Sequence, residues 1–331
     1  MRRRNAVQVL KKLLGNPTSL AGLVLLVLFA AVAAAAPWIA PVPETSRNPY
    51  MIPRDGFSST PRPPVEGHPL GTTEGQYDIL YGVVWGARTA FRVGVMIALF
   101  TTLIGVSVGS IAAFYGGIVD EVLMRMTEIF QAFPFLLAAI TMTSVLQTIY
   151  GRRAAGALMV VAKGMALFAF GHNPTQPVDP IQLRILTGML AITLFGWMTY
   201  ARVIRGSILA VKRKEYAMAA QAIGAGNMRI LFRHLLPNAI FPVIVIASMR
   251  IGSYVLTFAA LSFLGLGAQL GYADWGQMIS LARNWIPSLA DHWHIVVFPG
   301  AAIVLFVLAW NLVGDILRDI FDPRMRVQGI G

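Results

Sequence analysis

Residues 20–36 read LAGLVLLVLFAAVAAAA, a run without a charged, amide or hydroxyl side chain. At 1.5 Å per helical residue it covers most of the ~30 Å hydrocarbon core of a bilayer. Five further apolar runs follow: Phe91 to Phe114, Val122 to Ile149, Ile185 to Val203, Ala239 to Leu261 and Ile295 to Val313. The chain is 56% hydrophobic and only 13% charged, where a soluble protein carries about 25% charged residues. The excess apolar surface needs lipid as its solvent. The fold class is therefore an all-α membrane protein of about six transmembrane helices.

Charge orders these spans. The net charge of +12 could suggest nucleic acid, but no basic helix or stacking platform stands free of the apolar runs. The basic residues lie between them, the pattern that sets membrane orientation. Arg2, Arg3, Arg4, Lys11 and Lys12 precede the first span. Arg205, Lys212, Arg213, Lys214, Arg229 and Arg233 lie between the fourth and fifth, and Arg318, Arg324 and Arg326 follow the sixth. Placing all three groups on the cytoplasmic side requires an even number of crossings between them, which six spans satisfy. The first run reads as an uncleaved anchor rather than a signal peptide, because it is long and further spans follow.

The boundaries expected are a cytoplasmic tail at 1–17, a first helix with an external loop at 18–90, a transmembrane core at 91–314 and a cytoplasmic tail at 315–331. Within 18–90, residues 41–90 are rich in Pro, Gly, Ser and Thr and read as an extended loop with one short helix at most. Ala154 to Phe170 is apolar, short and interrupted by Lys163. A full span there would break the parity, so it reads as a re-entrant or surface helix in an external insertion, 151–180. Gly105 and Gly109 form a small-xxx-small pair in the second span, suited to close helix packing.

The loop 212–238 between spans four and five carries the most information. Glu215 to Ile223 is rich in helix formers. Gly224 can end that helix in a left-handed conformation. Asn227 is placed to cap a second helix, Met228 to Leu236, and Pro237 closes it. The result is a helix-turn-helix on the inner face of the membrane. Ala219, Ala220 and Ala222 leave a small-residue surface that a partner can approach closely.

This loop resembles that of binding-protein-dependent ABC importer permeases, whose pattern is Glu-Ala-Ala, three residues, Gly, nine residues, Ile-x-Leu-Pro. The chain supplies Ala219-Ala220, Gly224 and His234-Leu235-Leu236-Pro237 at that spacing, with Met218 in place of the Glu and His234 in place of the Ile. His234 before Leu-Leu-Pro-Asn is similar to the peptide and nickel branch. Other blocks agree in order: His68-Pro69-Leu70-Gly71-Thr72, Gly86-Ala87-Arg88, Phe114-Tyr115-Gly116-Gly117, Ala132-Phe133-Pro134, Leu261 to Gly267 with Trp275-Gly276, and Asn311 to Asp319 with Asp322-Pro323. The chain departs from the pattern at Thr73, where the family has an acidic residue, and at Gln76-Tyr77-Asp78, where it has Gly-Arg-Asp.

The resemblance implies a permease subunit without chemistry of its own. It would pair with a homologous second permease and two ABC ATPases that bind ATP and Mg, and take substrate from an extracytoplasmic binding protein. Glu215, Ala219, Ala220, Gly224, His234, Leu236 and Pro237 would couple it to an ATPase. Di- or oligopeptides are the implied substrates, with nickel chelates and oligosaccharides found among similar systems.

No Gly-x-x-x-x-Gly-Lys-Ser/Thr phosphate loop occurs, so ATP hydrolysis belongs elsewhere. The absence of Cys excludes disulfides, thiolate metal sites and a Cys nucleophile. Asp291, His292 and His294 read as interface residues rather than a metal site, which needs fixed ligand geometry. Asp120, Glu121, Arg125 and Glu128 read as a cytoplasmic ion-pair cluster, with Arg125 in reach of Glu121 and Glu128. Arg250, inside span five, reads as a pore-facing or interhelical charge. A stand-alone secondary transporter would need an inverted repeat, and an intramembrane enzyme a nucleophile and base together. The sequence displays neither.

Overall fold

The computed structural model describes residues 17–321 except 45, 47, 152–163, 166 and 168–178. Its helices are α1 (Pro17–Ile39), α2 (Ile79–Tyr115), α3 (Gly117–Gln131), α4 (Phe135–Gly151), α5 (Pro180–Gly196), α6 (Met198–Lys212), α7 (Glu215–Ala222), α8 (Asn227–Arg229), a π-helical turn (Ile230–Leu235), α9 (Leu236–Ala239), α10 (Phe241–Phe263), α11 (Trp275–Leu281), a 3-10 turn (Arg283–Ser288) and α12 (His294–Phe321). Five stretches are long and apolar enough to cross a membrane: α1, α2, α5 with α6, α10 and α12. A sixth crossing requires α3 and α4 to act as one.

Two expected boundaries are corrected. The third span is not one helix from Val122 to Ile149: α3 and α4 meet at 89°. Pro134 lies in the break and has no N–H to continue the helix, and it disfavours helical geometry in Phe133. The second span begins twelve residues before Phe91. Asp78 starts it, its carboxylate accepting from Tyr81 N–H at 2.7 Å, an N-cap. Ala154 to Phe170 lies outside the described residues except Gly164, Met165 and Leu167.

The helices approach closely because packing, not water, drives their association in lipid. A Cβ on Gly105 or Gly109 of α2 would overlap the backbone of α6 at Trp197 and Ala201. The small-residue pair thus packs α2 on α6 within one chain. Gly252 and Gly314 serve the α10–α12 contact in the same way, against Val307 and Met249. Phe29 of α1 meets Phe306 of α12 edge-on at 5.4 Å. Tyr254 of α10 donates to the Tyr200 hydroxyl of α6 at 3.1 Å, so this buried polar pair is satisfied internally.

The two ends of the bundle differ. One carries a folded collar, residues 40–78 and 264–293. Ile52 N–H donates to Gly271 O (2.8 Å) and Ala273 N–H to Tyr50 O (2.7 Å). Tyr50 stacks on Tyr272 at 5.6 Å and meets Trp85 edge-on at 5.3 Å. The Trp85 indole donates to Ala40 O (2.9 Å). At the other end α2 finishes, and Lys212 of α6 donates to Phe114 O at 2.7 Å. A cation there also suits the negative end of the α2 dipole.

Two predictions follow from this packing. Gly109→Val should destabilise the bundle by about 1–3 kcal/mol or more, through overpacking. Gly206→Ala, exposed with nothing near its Cβ position, should be neutral or stabilising by up to about 1 kcal/mol. Unfolding in mild detergent reads both, and an equal response of the two variants refutes the close approach at Gly109.

In the collar, Asp274 caps α11 by accepting from Gln277 N–H at 2.9 Å. It is only 6% exposed, and burial pushes its carboxyl from about 3.8 up to about 6. The folded chain therefore holds this proton more tightly than the unfolded chain. The ionisation penalty is absent below about pH 4, grows as pH rises to about 6, and is constant above it. Asp274→Asn keeps an acceptor for the helix end. It should stabilise the chain at pH 7.5 by up to about 3 kcal/mol, the gain vanishing near pH 4. Thermal scans over this range test it; a gain independent of pH contradicts the burial cause.

Candidate functional site: the loop surface at the end of α6

The loop between α6 and α10 forms a compact knob at the collar-free end. Helix α7 starts at the exposed Glu215 and ends at a left-handed turn: Gly224 has φ +78°, and Ala225 N–H reaches back to Ala220 O at 3.1 Å. This six-to-one bond with a left-handed glycine is the Schellman arrangement. The Cβ position of Gly224 is open, so only backbone conformation demands glycine there. Asn227 is not an N-cap. It is the first helical residue of α8, and Gly226 precedes it without a side-chain bond.

The second half of the knob is irregular for a reason. Leu236 N–H donates to Leu231 O, five residues back, in the π-helical turn. Such a turn is wider than an α-turn and precedes Pro237, whose nitrogen cannot donate. Asn238 Nδ2 instead donates to His234 O at 2.7 Å. Ile230, Leu231 and Leu235 point inward and are buried with Ala217 and Ala220.

The small-residue surface expected on α7 is thereby split. Ala219 and Ala222 are exposed, but Ala220 is 6% exposed and belongs to the knob's interior. The outward face is instead apolar and large: Ile223 is 85% exposed, Met228 65% and Phe232 59%, beside Tyr216 and Met218. Arg213, Lys214, Arg229 and Arg233 are exposed around it. The sequence reading did not assign Tyr216, Met218, Ile223, Met228 or Phe232 to this surface. Their signal was present as apolar positions out of phase with the buried Ala217, Ala220, Ile230 and Leu235. Of the remaining candidates, His234 and Leu236 are half-buried and Pro237 is exposed.

The knob is rooted in two helices. Arg205 of α6 donates two bonds to Asp120 of α3, both at 2.5 Å, the bidentate geometry that fixes a guanidinium. Of the expected cluster on α3, Arg125 pairs with Glu128 at 3.0 Å on an exposed surface, and Glu121 joins no ion pair among the described residues. Asp120 finds its partner across the helix interface instead of on α3.

Arg250 is the sole charge in α10 and is exposed there, within electrostatic reach of Tyr200 and Tyr254. In the collar, His292 lies on Trp285 with ring centroids 4.6 Å apart, and His294 is buried beneath Gly71. Among the described residues no group of three or more His, Asp or Glu side chains is arranged to hold a metal. Thr73 and Gln76, the departures noted above, are fully buried. Gln76 Nε2 donates to Thr60 O at 2.6 Å, so it serves the collar's own fold.

Comparison with known proteins agrees with this architecture. Residues 6–59 match the N-terminal TM domain of oligopeptide transport permease C. The dipeptide transport system permease protein DppC of Alkalihalophilus pseudofirmus is 33% identical, the match covering 98% of this chain and 90% of that one. The oligopeptide transport system permease protein OppC of Bacillus subtilis is 32% identical over 94% and 87%. The glutathione transport system permease protein GsiD of Pectobacterium atrosepticum is 32% identical over 84% and 81%. Residues 105–327, which contain the bent α3–α4 pair, the knob and α12, match the binding-protein-dependent transport system inner membrane component, and the chain belongs to that family of transport permeases.

Proposed function

We propose that the chain is one of two permease subunits of an ATP-driven importer of di- or oligopeptides, and that the knob is its seat for an ABC ATPase. The exposed apolar face of Ile223, Met228 and Phe232 carries this reading. Large apolar side chains with a basic rim at the end of a membrane bundle are the signature of a protein interface. The peptide class rests on what the similar permeases are named for.

In this mechanism the basic knob and both termini are cytoplasmic, the collar is external, and the protein sits in the cytoplasmic (inner) membrane. A binding protein delivers substrate to the collar side. ATP and Mg are held by the partner ATPases, and this chain binds no cofactor. ATP-driven closure of the ATPases moves the knob. The Arg205–Asp120 and Lys212–Phe114 bonds pass that motion through α6 to α3 and α2, and the passage alternates between outward and inward access. Such switching needs two packed states with different contacts. Arg250, facing outward from α10, is placed to line the passage or the second permease.

Gentle purification from native membranes, with mass spectrometry of the associated chains, tests the assembly. A second permease and two P-loop ATPases should accompany the wild type. Phe232→Asp should lose the ATPases and keep the second permease; retention of both at wild-type levels removes the knob as their seat. Gly224→Val forces a β-branched residue into a left-handed conformation at a cost of about 1–3 kcal/mol. Membrane insertion should survive while ATP-dependent uptake falls; unchanged uptake would refute the role of this turn.

A further inference from the structure

Two arginines beside α1 face a cleft that no function described so far uses. The cleft, about 370 Å³, opens between α1 and α2 and is lined by Ala30, Ala33 and Ala34 on one side and by Tyr50, Arg88, Phe91 and Arg92 on the other. Among the described residues its lining has two cations and no carboxylate. Both guanidiniums are held on aromatic rings, Arg88 over Trp85 at 5.1 Å and Arg92 over Tyr50 at 4.6 Å. Those rings are themselves packed together in the collar. The charges are thus fixed in place, with their orientation set before any ligand arrives.

Their depth identifies the ligand. From Val93 to Tyr115, α2 carries no charge. That stretch is about 34 Å long at 1.5 Å per residue, close to the ~30 Å hydrocarbon thickness. Arg92 therefore marks the boundary of the apolar core and Arg88 lies one turn outside it, at headgroup level. Trp38, 82% exposed at the same end of α1, occupies the interfacial position favoured by tryptophan. The rest of the lining is Ala30, Ala33 and Ala34 with Phe91, and toward the apolar core α1 continues with the exposed apolar residues Leu28, Val27 and Val24. A ligand fitting both parts has an anionic head and a hydrocarbon tail.

We propose that this cleft is a binding site for an anionic phospholipid of the collar-side leaflet, with its phosphate on Arg88 and Arg92 and an acyl chain along Ala30, Ala34 and α1. The alanines make room for the chain, and the arginines select the charged headgroup. The lipid ties the peripheral α1 to α2, which otherwise meet across this gap.

The full chain in mild detergent should gain thermal stability on titration with phosphatidylglycerol. Phosphatidylcholine with the same acyl chains, and glycerol 3-phosphate, should leave it unchanged. Arg88→Gln should weaken the phosphatidylglycerol response roughly fivefold in concentration, the value of one interfacial arginine. Ala34→Leu, which fills the cleft without removing a charge, should weaken it as well, so the test survives if Arg88→Gln fails to fold. Equal responses to the two phospholipids overturn the proposal, as does an Ala34→Leu response matching wild type. A shift with glycerol 3-phosphate would reveal a soluble-anion site instead. The chain has no native Cys, so Ala34→Cys can carry a single photocrosslinker in native membranes. Crosslinking to lipid supports the proposal, and crosslinking to a second protein overturns it.

Discussion

The seam between α2 and α6 is the contact on which the arrangement of the two ends depends. Gly105 and Gly109 remove two side chains from α2, and the α6 backbone at Trp197 and Ala201 fills the space. In lipid there is no gain from hiding apolar surface from water, so this close packing must supply the attraction. Helix α2 rises from Asp78 in the collar, while α6 runs directly into the knob. The seam thus joins a helix rooted at one end to a helix that leads out at the other. Its register also sets where Lys212 meets the last carbonyls of α2.

The two ends solve the problem of exposed backbone differently. The collar has few regular elements, and much of its backbone is bonded through single bridges and side chains, such as Gln76 on Thr60 O and Trp85 on Ala40 O. The knob is almost wholly helical and small. Its interior consists of Ala217, Ala220, Ile230, Leu231 and Leu235, while Ile223, Met228 and Phe232 stay outside. A fold that displays Ile223, Met228 and Phe232 leaves apolar surface of the kind a partner protein covers. The bend at Pro134 and the wide turn before Pro237 place both departures from α-helical geometry where the chain changes direction.

Much of this was legible from the residues. The apolar runs, their spacing and the distribution of Lys and Arg specified a helical membrane protein with about six crossings. Gly224 announced a left-handed turn because glycine enters that conformation without the Cβ penalty other residues meet. Gly105 and Gly109 announced a close helix contact. Less was legible at the boundaries. The start of α2 was hidden because Gly82, Gly86 and Arg88 interrupt the apolar run of residues 79–90 until Asp78 is recognised as its cap. The α3–α4 bend was hidden because the apolar run continues past Pro134, and composition alone does not register an angle.

What the sequence determined alone is what one-dimensional physics controls: which segments are apolar enough for lipid, which carry the compensating positive charge, and which positions require glycine or reject an N–H. Tertiary structure decided the partners. Asp120 bonds to Arg205, 85 residues away, instead of joining its neighbours on α3. Ala220 turned inward while Ile223 and Phe232 turned out. Arg92 acquired an aromatic seat on Tyr50, 42 residues away along the chain, beside a cleft opened by alanines of another helix. Hydrogen-bond geometry and shape complementarity act across space over a few ångströms, and separation along the chain does not encode which residues come within that reach.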